Sequence, residues 1–380
     1  MSQPIPTKMK AKMPEKTFNT LLIDASNLLE VSFRGFKKLS SNGNEIGGIF
    51  QFLLQLKILL QKGNFRYVYA FWDGDKSGQM RYDLYPAYKA NRDKTYDDNN
   101  LSDYMKQVNS KINGMYSSFK KKKVENSDND KDKEVFHWQR SVVMDCLEEL
   151  FVRQCLCDNI EADDFIGYYV THKKPNERIV IVSNDRDLTQ LIDDDVIVYV
   201  QSLHKFINKK NHKEEFGYTH ENVLLKKMLC GDSSDNIKGI KGLGEKTLFT
   251  NIDGFKDRRM TLNEVVDKAR EINEERLKSK KKPLKWAYNI VNKVTDGVQG
   301  ESIYEINKKI IDLHNPLMSE DAVELIESIM YAPIDPEGRS MENLYKIICE
   351  NGIDDLKDED RFSSFFVEYK YLIDKEKKNR

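Results

Sequence analysis

The feature that most constrains the fold of this chain is a series of short apolar runs that an acidic residue follows directly or after a short polar segment. Three such runs lie at residues 18–23, 67–72 and 179–182. The acids that follow them are Asp24, Asp73 and Asp185. The runs alternate with segments of helical periodicity, which predicts an α/β fold with a mostly parallel sheet covered by helices. In such sheets, sites form at the carboxyl ends of the strands.

The acidic residues form five clusters along the chain. In order, these are Asp24 in LLIDASN, Asp73 in FWDGD, Glu161, Asp163 and Asp164 in IEADD, Asp185 and Asp187 in SNDRDL, and Asp232 and Asp235 in GDSSDN. Carboxylates a few Å apart repel strongly, so they can converge only with cations between them. An all-oxygen set selects a hard divalent ion, Mg²⁺ or Mn²⁺. The pattern predicts a two-metal phosphodiesterase site.

Each acidic cluster also has an ordinary structural interpretation. IEADD could be N-terminal capping of a helix, where the macrodipole tolerates negative charge. SNDRDL could be a solvated turn, whereas its functional interpretation is a strand end whose alternate carboxylates, Asp185 and Asp187, point into one cleft. The order of all five clusters favours the metal site over these separate interpretations.

A glycine-rich segment, GIKGLGEKT, is the second signal. Gly239, Gly242 and Gly244 allow a tight hairpin between two helices and let backbone approach a ligand closely. The next helix would offer free N–H groups to a phosphate, and Lys246 adds positive charge. The pattern predicts a helix–hairpin–helix that contacts DNA backbone, with a plain helix–helix turn as the alternative.

The third signal is a basic and aromatic stretch, RYDLYPAYKANRDK. It holds the cations Arg81, Lys89 and Arg92 and the aromatic residues Tyr82, Tyr85 and Tyr88. Cations interleaved with aromatic rings suit an unpaired strand or a frayed end of nucleic acid. A solvated amphipathic surface is the alternative.

Composition limits the class of protein. Lys plus Arg is 61 and Asp plus Glu is 62, a balance that does not argue against nucleic acid, because binding depends on the local field. No apolar window is long enough for a bilayer, and the polar N-terminus lacks a signal-peptide core. The cysteines lack zinc spacing and predict reduced thiols in a cytoplasmic protein (host cytoplasm if viral). Cys155-Leu-Cys157 is better explained by alternation on a strand than by a metal pair.

The order DASN, WDG, YKANRD, EADD, NDRDL and GDSSDNIKGIKGLGEKT resembles the 5′-nuclease (flap endonuclease) superfamily. It is most similar to phage 5′-3′ exonucleases and to the 5′-nuclease domain of bacterial DNA polymerase I, over about residues 18–252. The resemblance implies a PIN-like domain with a helical arch and a C-terminal helix–hairpin–helix domain. The expected divisions are a disordered basic tail at 1–16, a nuclease domain at 17–205 with the arch at about 80–134, a helix–hairpin–helix domain at 206–310 and a helical extension at 311–380.

The resemblance also implies roles for individual residues. It assigns Asp24, Asp73, Glu161 and Asp163 to one metal ion, Asp185, Asp187, Asp232 and Asp235 to a second, and Asp164 as an additional carboxylate. It implies that Lys89 and Arg92 contact the scissile phosphate and that Tyr88 helps to place the terminal nucleotide. Arg34 is expected near the DNA, and carbonyls around Ile240 to Leu243 are expected to hold K⁺.

The resemblance implies a structure-specific 5′-3′ exonuclease or flap endonuclease of replication or repair. Its expected substrates are DNA 5′ flaps, nicks and ends, with RNA–DNA hybrids as a further class. We expect a stand-alone, phage-type, monomeric enzyme with no membrane contact and with replication proteins as partners. The polar insertion at 95–133 departs from the family, and residues beyond about 255 match no motif.

Three rival functions differ in what they require. A PIN-type ribonuclease would share four or five carboxylates but would not need GIKGLGEKT. A non-catalytic DNA-binding module would have no use for nine mutually repelling acids. In a structural protein the clusters would be surface charge.

Overall fold

A six-stranded sheet forms the centre of the N-terminal half. The structure is a computed structural model that describes residues 17–37, 39–41, 43–90, 129–292 and 303–378. The sheet strands are β1 (Thr20–Asp24), β4 (Tyr67–Asp73), β5 (Arg153–Cys157), β6 (Ile179–Val182), β7 (Val196–Val200) and β8 (Lys205–Ile207), while β2 (Ser40–Ser41) and β3 (Asn44–Glu45) form a separate hairpin. The order is β5-β4-β1-β6-β7-β8, and all neighbours are parallel except β7 and β8. The predicted α/β class with a mostly parallel sheet is confirmed.

Strand β1 lies between β4 and β6, and this order positions the site. Asp24 and Asp73 are the last residues of β1 and β4, and Asp185 follows the end of β6. Every residue of β1 and β6 is buried, as expected for central strands covered on both faces. The three acids therefore leave the sheet at one edge.

Helices cover both faces of the sheet. The first part of the chain contributes α1 (Ala25–Phe36), α2 (Gly47–Lys62), α3 (Gln79–Leu84), α4 (Asn129–Glu149) and α5 (Ala162–Thr171). On one face α1, α2 and α4 enclose an apolar core in which Phe52 stacks on Trp72. On the other face α5 packs Phe165 against Phe71. Cys155 is buried on β5 and Leu156 is exposed, so the Cys155-Leu-Cys157 segment is a strand.

The following segment builds a further, smaller core away from the two that cover the sheet. It comprises α6 (His212–Phe216), α7 (Val223–Cys230), β9 (Gly231–Asp232), β10 (Ile237–Lys238), α8 (Glu245–Asn251), α9 (Leu262–Lys278), α10 (Lys285–Val291) and α11 (Ile303–Ile311). Leu229, Leu248, Phe255 and Ile290 are fully buried in it. The α7-to-α8 segment contains both GDSSDN and the glycine-rich sequence.

The last helices return to the sheet. They are α12 (Glu320–Ile329), α13 (Met341–Glu350) and α14 (Glu359–Lys378). Tyr369 of α14 donates to the Leu53 carbonyl of α2 at 2.7 Å, and Glu376 forms a buried ion pair with Arg153 of β5 at 3.0 Å. Ala322 and Ile326 of α12 join the core on the opposite face. Residues of the predicted 311–380 extension therefore complete the cores on both faces of the sheet.

Two predicted features lie largely outside the described residues. These are the N-terminal tail at 1–16 and most of the arch insertion at 95–133. Among the described residues, no helix combines the length and apolarity that crossing a membrane requires.

Candidate active site at the carboxyl edge of the sheet

Asp24 joins the loops that follow two neighbouring strands. Its Oδ1 accepts from the Asn27 N–H at 3.0 Å, which caps α1, and its Oδ2 accepts from the Ser183 hydroxyl at 2.8 Å. Asp73 is held in the same way, because its Oδ1 accepts from the Ala162 N–H at 2.8 Å. The ends of β1 and β4, the loop after β6 and the start of α5 therefore meet at these two carboxylates.

The first turn of α5 supplies three more acids. Oxygens of Glu161, Asp163 and Asp164 lie within 4.8 Å of one another. Arg81 lies beneath them: its Nη1 and Nη2 donate to the two oxygens of Asp164 at 2.6 and 2.9 Å, and its Nη1 lies 2.7 Å from Glu161. Arg81 is only 4% exposed and Asp164 1%. The guanidinium thus offsets part of the repulsion that would otherwise prevent this turn from forming.

Glu161 is the most strongly stabilised anion of this turn. Besides Arg81, it contacts the Lys89 ammonium and accepts from the Tyr88 hydroxyl at 3.0 Å. Burial alone would raise the pKa of Glu161, but Arg81 and Lys89 outweigh burial and lower that pKa to about 2. Glu161 therefore stays ionised at any working pH.

Asp163 is the acid that fits a bound cation best. Its Oδ1 is buried and has no hydrogen-bond partner. Burial raises the pKa of Asp163 well above its usual range; Arg81 lowers it, and the neighbouring Asp164 and Glu161 raise it further. A buried carboxylate oxygen without a donor is costly, and a divalent ion would supply the missing partner.

A second set of acids follows β6. Asp185 caps a 3₁₀-helix, Arg186–Leu191, by accepting from the Asp187 N–H at 2.8 Å. The sequence allowed a strand end here; the structure has a capped helical turn, because the Asp185 side chain bonds the backbone two residues on. The Lys227 ammonium of α7 contacts both Asp187 and Asp232, the latter at 2.5 Å.

The two sets influence each other electrostatically. Burial, and then Asp73, raise the pKa of Asp24 to about 7, and Asp185 contributes to the increase. Burial, and then Asp185, raise the pKa of Asp187 to about 7 although Lys227 opposes the change. Burial would raise the pKa of Asp232, but Lys227 and Ser234 lower it to about 2. Acids from five segments of the chain thus act on one another, as convergence requires.

Asp235 and Lys89 connect the hairpin domain to this region. The Lys89 N–H donates to the Asp235 carbonyl at 2.8 Å while its ammonium reaches Glu161. Lys89 has a φ of 53°, in the left-handed region that non-glycine residues rarely adopt. Such a conformation is kept only where surrounding contacts require it, often at functional sites.

The three predicted hairpin glycines lie in different environments, and the structure requires glycine at two of them. A Cβ on Gly239 would lie 2.1 Å from the Cys230 carbonyl carbon, so Gly239 permits close packing of the two segments. Gly242 has a φ of 88°, which closes the turn. Gly244 has no atom within 4 Å of the Cβ position, so it leaves open space before α8 and the exposed Lys246.

The comparisons with known proteins agree with this geometry. Residues 19–217 match the family described as 5′-3′ exonuclease, N-terminal resolvase-like domain. The chain belongs to this 5′-3′ exonuclease family.

Two relatives of the 5′-3′ exonuclease family differ in how much of them the chain covers. DNA polymerase I of Streptococcus pneumoniae (strain ATCC BAA-255 / R6) is 28% identical over 277 residues, which are 65% of this chain and 27% of that protein. A 5′-3′ exonuclease of Mycoplasmopsis pulmonis is 26% identical over 246 residues, which are 64% of this chain and 69% of that protein. The chain thus spans about a quarter of the polymerase.

A solved structure of bacteriophage T5 shares the fold. It is described as a flap endonuclease in a pseudo-enzyme-product complex with DNA and metal ions, and it aligns with a TM-score of 0.55 at 17% identity. The alignment covers 88% of this chain and 97% of that one. The nuclease fold predicted from the sequence is confirmed.

Two residues expected to contact DNA in this exonuclease-family chain are buried. Arg81 lies beneath the α5 acids and donates from Nε to the Ile310 carbonyl at 2.9 Å, so the prediction that it contacts DNA is wrong. Tyr88 is 3% exposed, its hydroxyl donates to Glu161, and Lys89 lies over its ring at 4.7 Å. The ring face of Tyr88 is therefore not open to a nucleotide. Arg81 was predicted from the basic and aromatic pattern, and Tyr88 also from the family resemblance. Neither source reveals which side chains point inward.

The other residues predicted to contact DNA or K⁺ lie in different parts of the chain. Arg34 is exposed on α1 and pairs with Glu30, and Arg92 lies outside the described residues. The Ile240 carbonyl accepts from the Leu243 N–H at 2.9 Å. Lys227 was missed, although its position five residues before Asp232 on a short helix could have indicated it.

Proposed function

We propose that this chain is a divalent-cation-dependent 5′-3′ exonuclease and flap endonuclease. It hydrolyses phosphodiester bonds and leaves a 5′-phosphate and a 3′-hydroxyl. The observation that carries the proposal is the convergence of acids from five segments, among them a buried Asp163 Oδ1 that receives no hydrogen bond. The names of the Mycoplasmopsis exonuclease and the T5 flap endonuclease support it.

The carboxylates are proposed to hold two Mg²⁺ ions, for which Mn²⁺ can substitute. Asp24, Asp73, Glu161 and Asp163 would hold the first, and Asp185, Asp187, Asp232 and Asp235 the second. Bound divalent ions supply an activated water and stabilise the leaving oxygen. Asp164 has a supporting role, because its two oxygens accept from Arg81 and one also accepts from the Leu317 N–H at 3.1 Å.

Lys89 and Arg92 are proposed to stabilise negative charge on the scissile phosphate. Lys89 begins from an ion pair with Glu161 at the edge of the site, and it is only partly buried. Its backbone is fixed by the bond to Asp235. A cation on a fixed backbone beside the acids can reach a phosphate held there without reorganising the loop.

The hairpin is proposed to hold duplex DNA by its phosphates, with specificity for structure and not for sequence. Gly242, Gly244 and Lys246 would approach the backbone, Ile240 and Leu243 would offer carbonyls to a K⁺ ion, and Arg34 would contact DNA nearer the site. The substrates are 5′ flaps, nicks, ends and RNA–DNA hybrids. We propose a monomer that works with replication proteins in the cytoplasm.

One gel assay tests this proposal. A 5′-labelled flap, a nicked duplex, an RNA–DNA hybrid and a linear single-stranded RNA are incubated with and without Mg²⁺. We expect cleavage of the first three only with the ion, and loss of at least ~10³-fold in Asp24→Asn and Asp187→Asn with DNA binding retained. Asp257→Asn, which removes an exposed acid paired with Lys213, is the matched control and should cleave normally.

Two outcomes would contradict the proposal. Cleavage that survives exhaustive chelation would exclude the metal mechanism. Cleavage of linear RNA in preference to every 5′-ended duplex would favour the PIN-type ribonuclease.

A further inference from the structure

A lysine-rich loop joins α9 to α10, and the active site does not account for it. We define the lysine loop as residues 278–285, in which the sequence is KSKKKPLK. Its five lysines, all exposed, are Lys278, Lys280, Lys281, Lys282 and Lys285. Within the described ranges, none of them forms an ion pair with an acidic side chain. Five cations within eight residues repel one another, so the loop presents a strong positive field to solvent.

The lysine loop is attached to the glycine hairpin. The Asn289 amide of α10 donates to the Lys241 carbonyl at 2.8 Å, inside the hairpin turn. Trp286, the residue after the loop, packs against Gly242, with its Cβ 3.6 Å from where a glycine Cβ would lie. The loop therefore lies directly beside the hairpin.

The loop has a fixed shape although its lysine side chains are exposed. Arg276 Nε donates to the Lys282 carbonyl at 2.9 Å, and the Lys281 N–H donates to the Arg276 carbonyl at 2.8 Å. Asn273 accepts from the Leu284 N–H at 2.7 Å. A backbone fixed in this way holds the charges in place before a partner arrives, which lowers the ordering cost of binding.

The lysine loop is the part of this segment whose positive charge is not balanced by acids in its own sequence. Glu271, Glu274 and Glu275 lie on the preceding turns of α9, and all three are exposed. The body of α9 mixes the two signs, because Arg270 pairs with Asp267 at 2.6 Å, as is usual for a solvated helix face. The lysine loop differs, since its sequence contains cations and no acidic residue.

We infer that the lysine loop is a second contact surface for the phosphate backbone of duplex nucleic acid, continuous with the hairpin. This inference rests on the proposed function, since the hairpin supplies the first contact. The loop contacts the duplex beyond the hairpin, so it adds affinity only when the duplex is long enough to reach it. Because lysines read phosphates and not bases, the added affinity is independent of sequence and sensitive to salt.

Three Lys→Gln changes test the inference: Lys278→Gln, Lys281→Gln and Lys282→Gln together. They spare the loop's backbone hydrogen bonds and avoid Lys280, whose φ is 54°. The matched control changes three exposed lysines of the C-terminal helices, Lys346, Lys370 and Lys377, to Gln. Binding is measured in Ca²⁺ over a range of salt concentrations, with flap substrates whose downstream duplex is shorter than one helical turn or two turns long.

We expect the loop variant to bind the long duplex more weakly and the short duplex like wild type. Its slope of log affinity against log salt on the long duplex should be shallower by about 2–3, because each phosphate that the loop no longer neutralises lowers the slope by about 1. The control variant should match wild type on both. Circular dichroism melts establish that both variants are folded.

The outcomes separate this inference from the proposed function. If wild type cleaves flaps and the loop variant keeps the wild-type slope on the long duplex, the loop inference is overturned and the function stands. If wild type does not cleave flaps, the proposed function fails, and the slope with uncleaved duplex still decides the loop's role. The loop inference is also overturned if the loop variant binds DNA like wild type but loses the wild-type binding to anionic phosphatidylserine vesicles. That result would assign the lysine loop to a membrane surface.

Discussion

The two acidic sets of the site solve the same electrostatic problem with different cations. Around α5, the guanidinium of Arg81 is buried and holds Asp164 in two parallel hydrogen bonds. After β6, the ammonium of Lys227 contacts Asp187 and Asp232. A bidentate, permanently charged guanidinium is part of the architecture, whereas an ammonium on a flexible stem is a point charge that can move. The cation of the α5 set is therefore fixed in the protein interior, whereas the cation of the second set, Lys227, can move away from its carboxylates.

The largest expected effect comes from removing the buried cation. Arg81→Leu leaves Asp164 and Glu161 without their main partner in the protein interior, so we expect a loss of about 3–5 kcal/mol of unfolding free energy. Urea unfolding followed by circular dichroism measures it. Arg258→Ala, which breaks an exposed pair with Glu264, is the control and should unfold close to wild type, because solvent screens such a pair. Equal losses in the two variants would remove the structural role of Arg81.

Lys89 provides the next test. Its ammonium contacts Glu161 of the α5 set, but it is only partly buried, unlike Arg81. Lys89→Ala should lower the single-turnover cleavage rate by about 10²–10³-fold with little change in unfolding free energy, since its charge acts on the phosphate. A rapid-quench assay on the flap substrate measures the rate. Lys76→Ala serves as a control, because Lys76 is an exposed lysine that also has a positive φ. An unchanged rate would leave Lys89 as a partner of Glu161 only.

Lys227 tests whether the second set can adjust. In Lys227→Met, Asp187 and Asp232 lose a nearby positive charge, so we expect Mn²⁺ to bind that set about ten-fold more tightly. Isothermal titration calorimetry of the DNA-free protein measures the affinity. Lys226→Met is the matched control: it lies on the same helix but pairs with Glu245 at 2.5 Å. Equal affinities in wild type and both variants would refute a competing ammonium.

The smallest expected effect is on stability, and it comes from His212, which packs behind the 3₁₀-helix that carries Asp187. His212 is buried, and its ring contacts Thr189 of the Arg186–Leu191 helix at 3.1 Å and the Tyr218 carbonyl at 2.8 Å. Burial lowers the pKa of His212 from 6.5 to about 4; the Tyr218 carbonyl opposes the change, and His220 and Lys226 add to it. The neutral ring therefore stabilises the fold above pH 6.5, and this contribution is lost as the pH falls towards 4.

We expect unfolding free energy to fall by about 1–2 kcal/mol more between pH 7 and pH 5 in wild type than in His212→Gln. Urea unfolding at both pH values checks this, and the difference between the two proteins cancels the titration of the carboxylates. His172→Gln, on the surface end of α5, is a suitable control. If the unfolding free energy of His212→Gln falls between pH 7 and pH 5 as much as that of wild type, groups other than His212 cause the pH dependence.

The strands and the acids were predictable because both depend on local pattern. Residues 179–182 form a strand with the bounds of the predicted apolar run, since a continuous apolar run of that length fits a central parallel strand. The convergence of Asp24 and Asp73 follows from their place at strand ends. The burial of Arg81 was not predictable, because an arginine beside tyrosines has the same local pattern whether it faces DNA or a buried carboxylate.

The C-terminal helices show the same limit. Their amphipathic patterns predict helices but do not say which surface they cover. The structure packs α14 on α2 and joins Glu376 to Arg153, a contact between residues far apart in the chain. Lys227 is a second case: its position before Asp232 is visible in the sequence, but its contact with Asp187 requires α7 to lie against the β6 loop.

The sequence by itself determined the kind of chemistry, because so many converging acids can be tolerated only with cations, and because a glycine fits the positive φ that closes the hairpin turn at Gly242. The tertiary structure alone decided which cation neutralises which acid. Charge pairing depends on distance and burial, and both are set by how remote segments pack. The carboxylate partners of Arg81 and Lys227 therefore follow from how α3 and α7 pack, and the sequence does not reveal them.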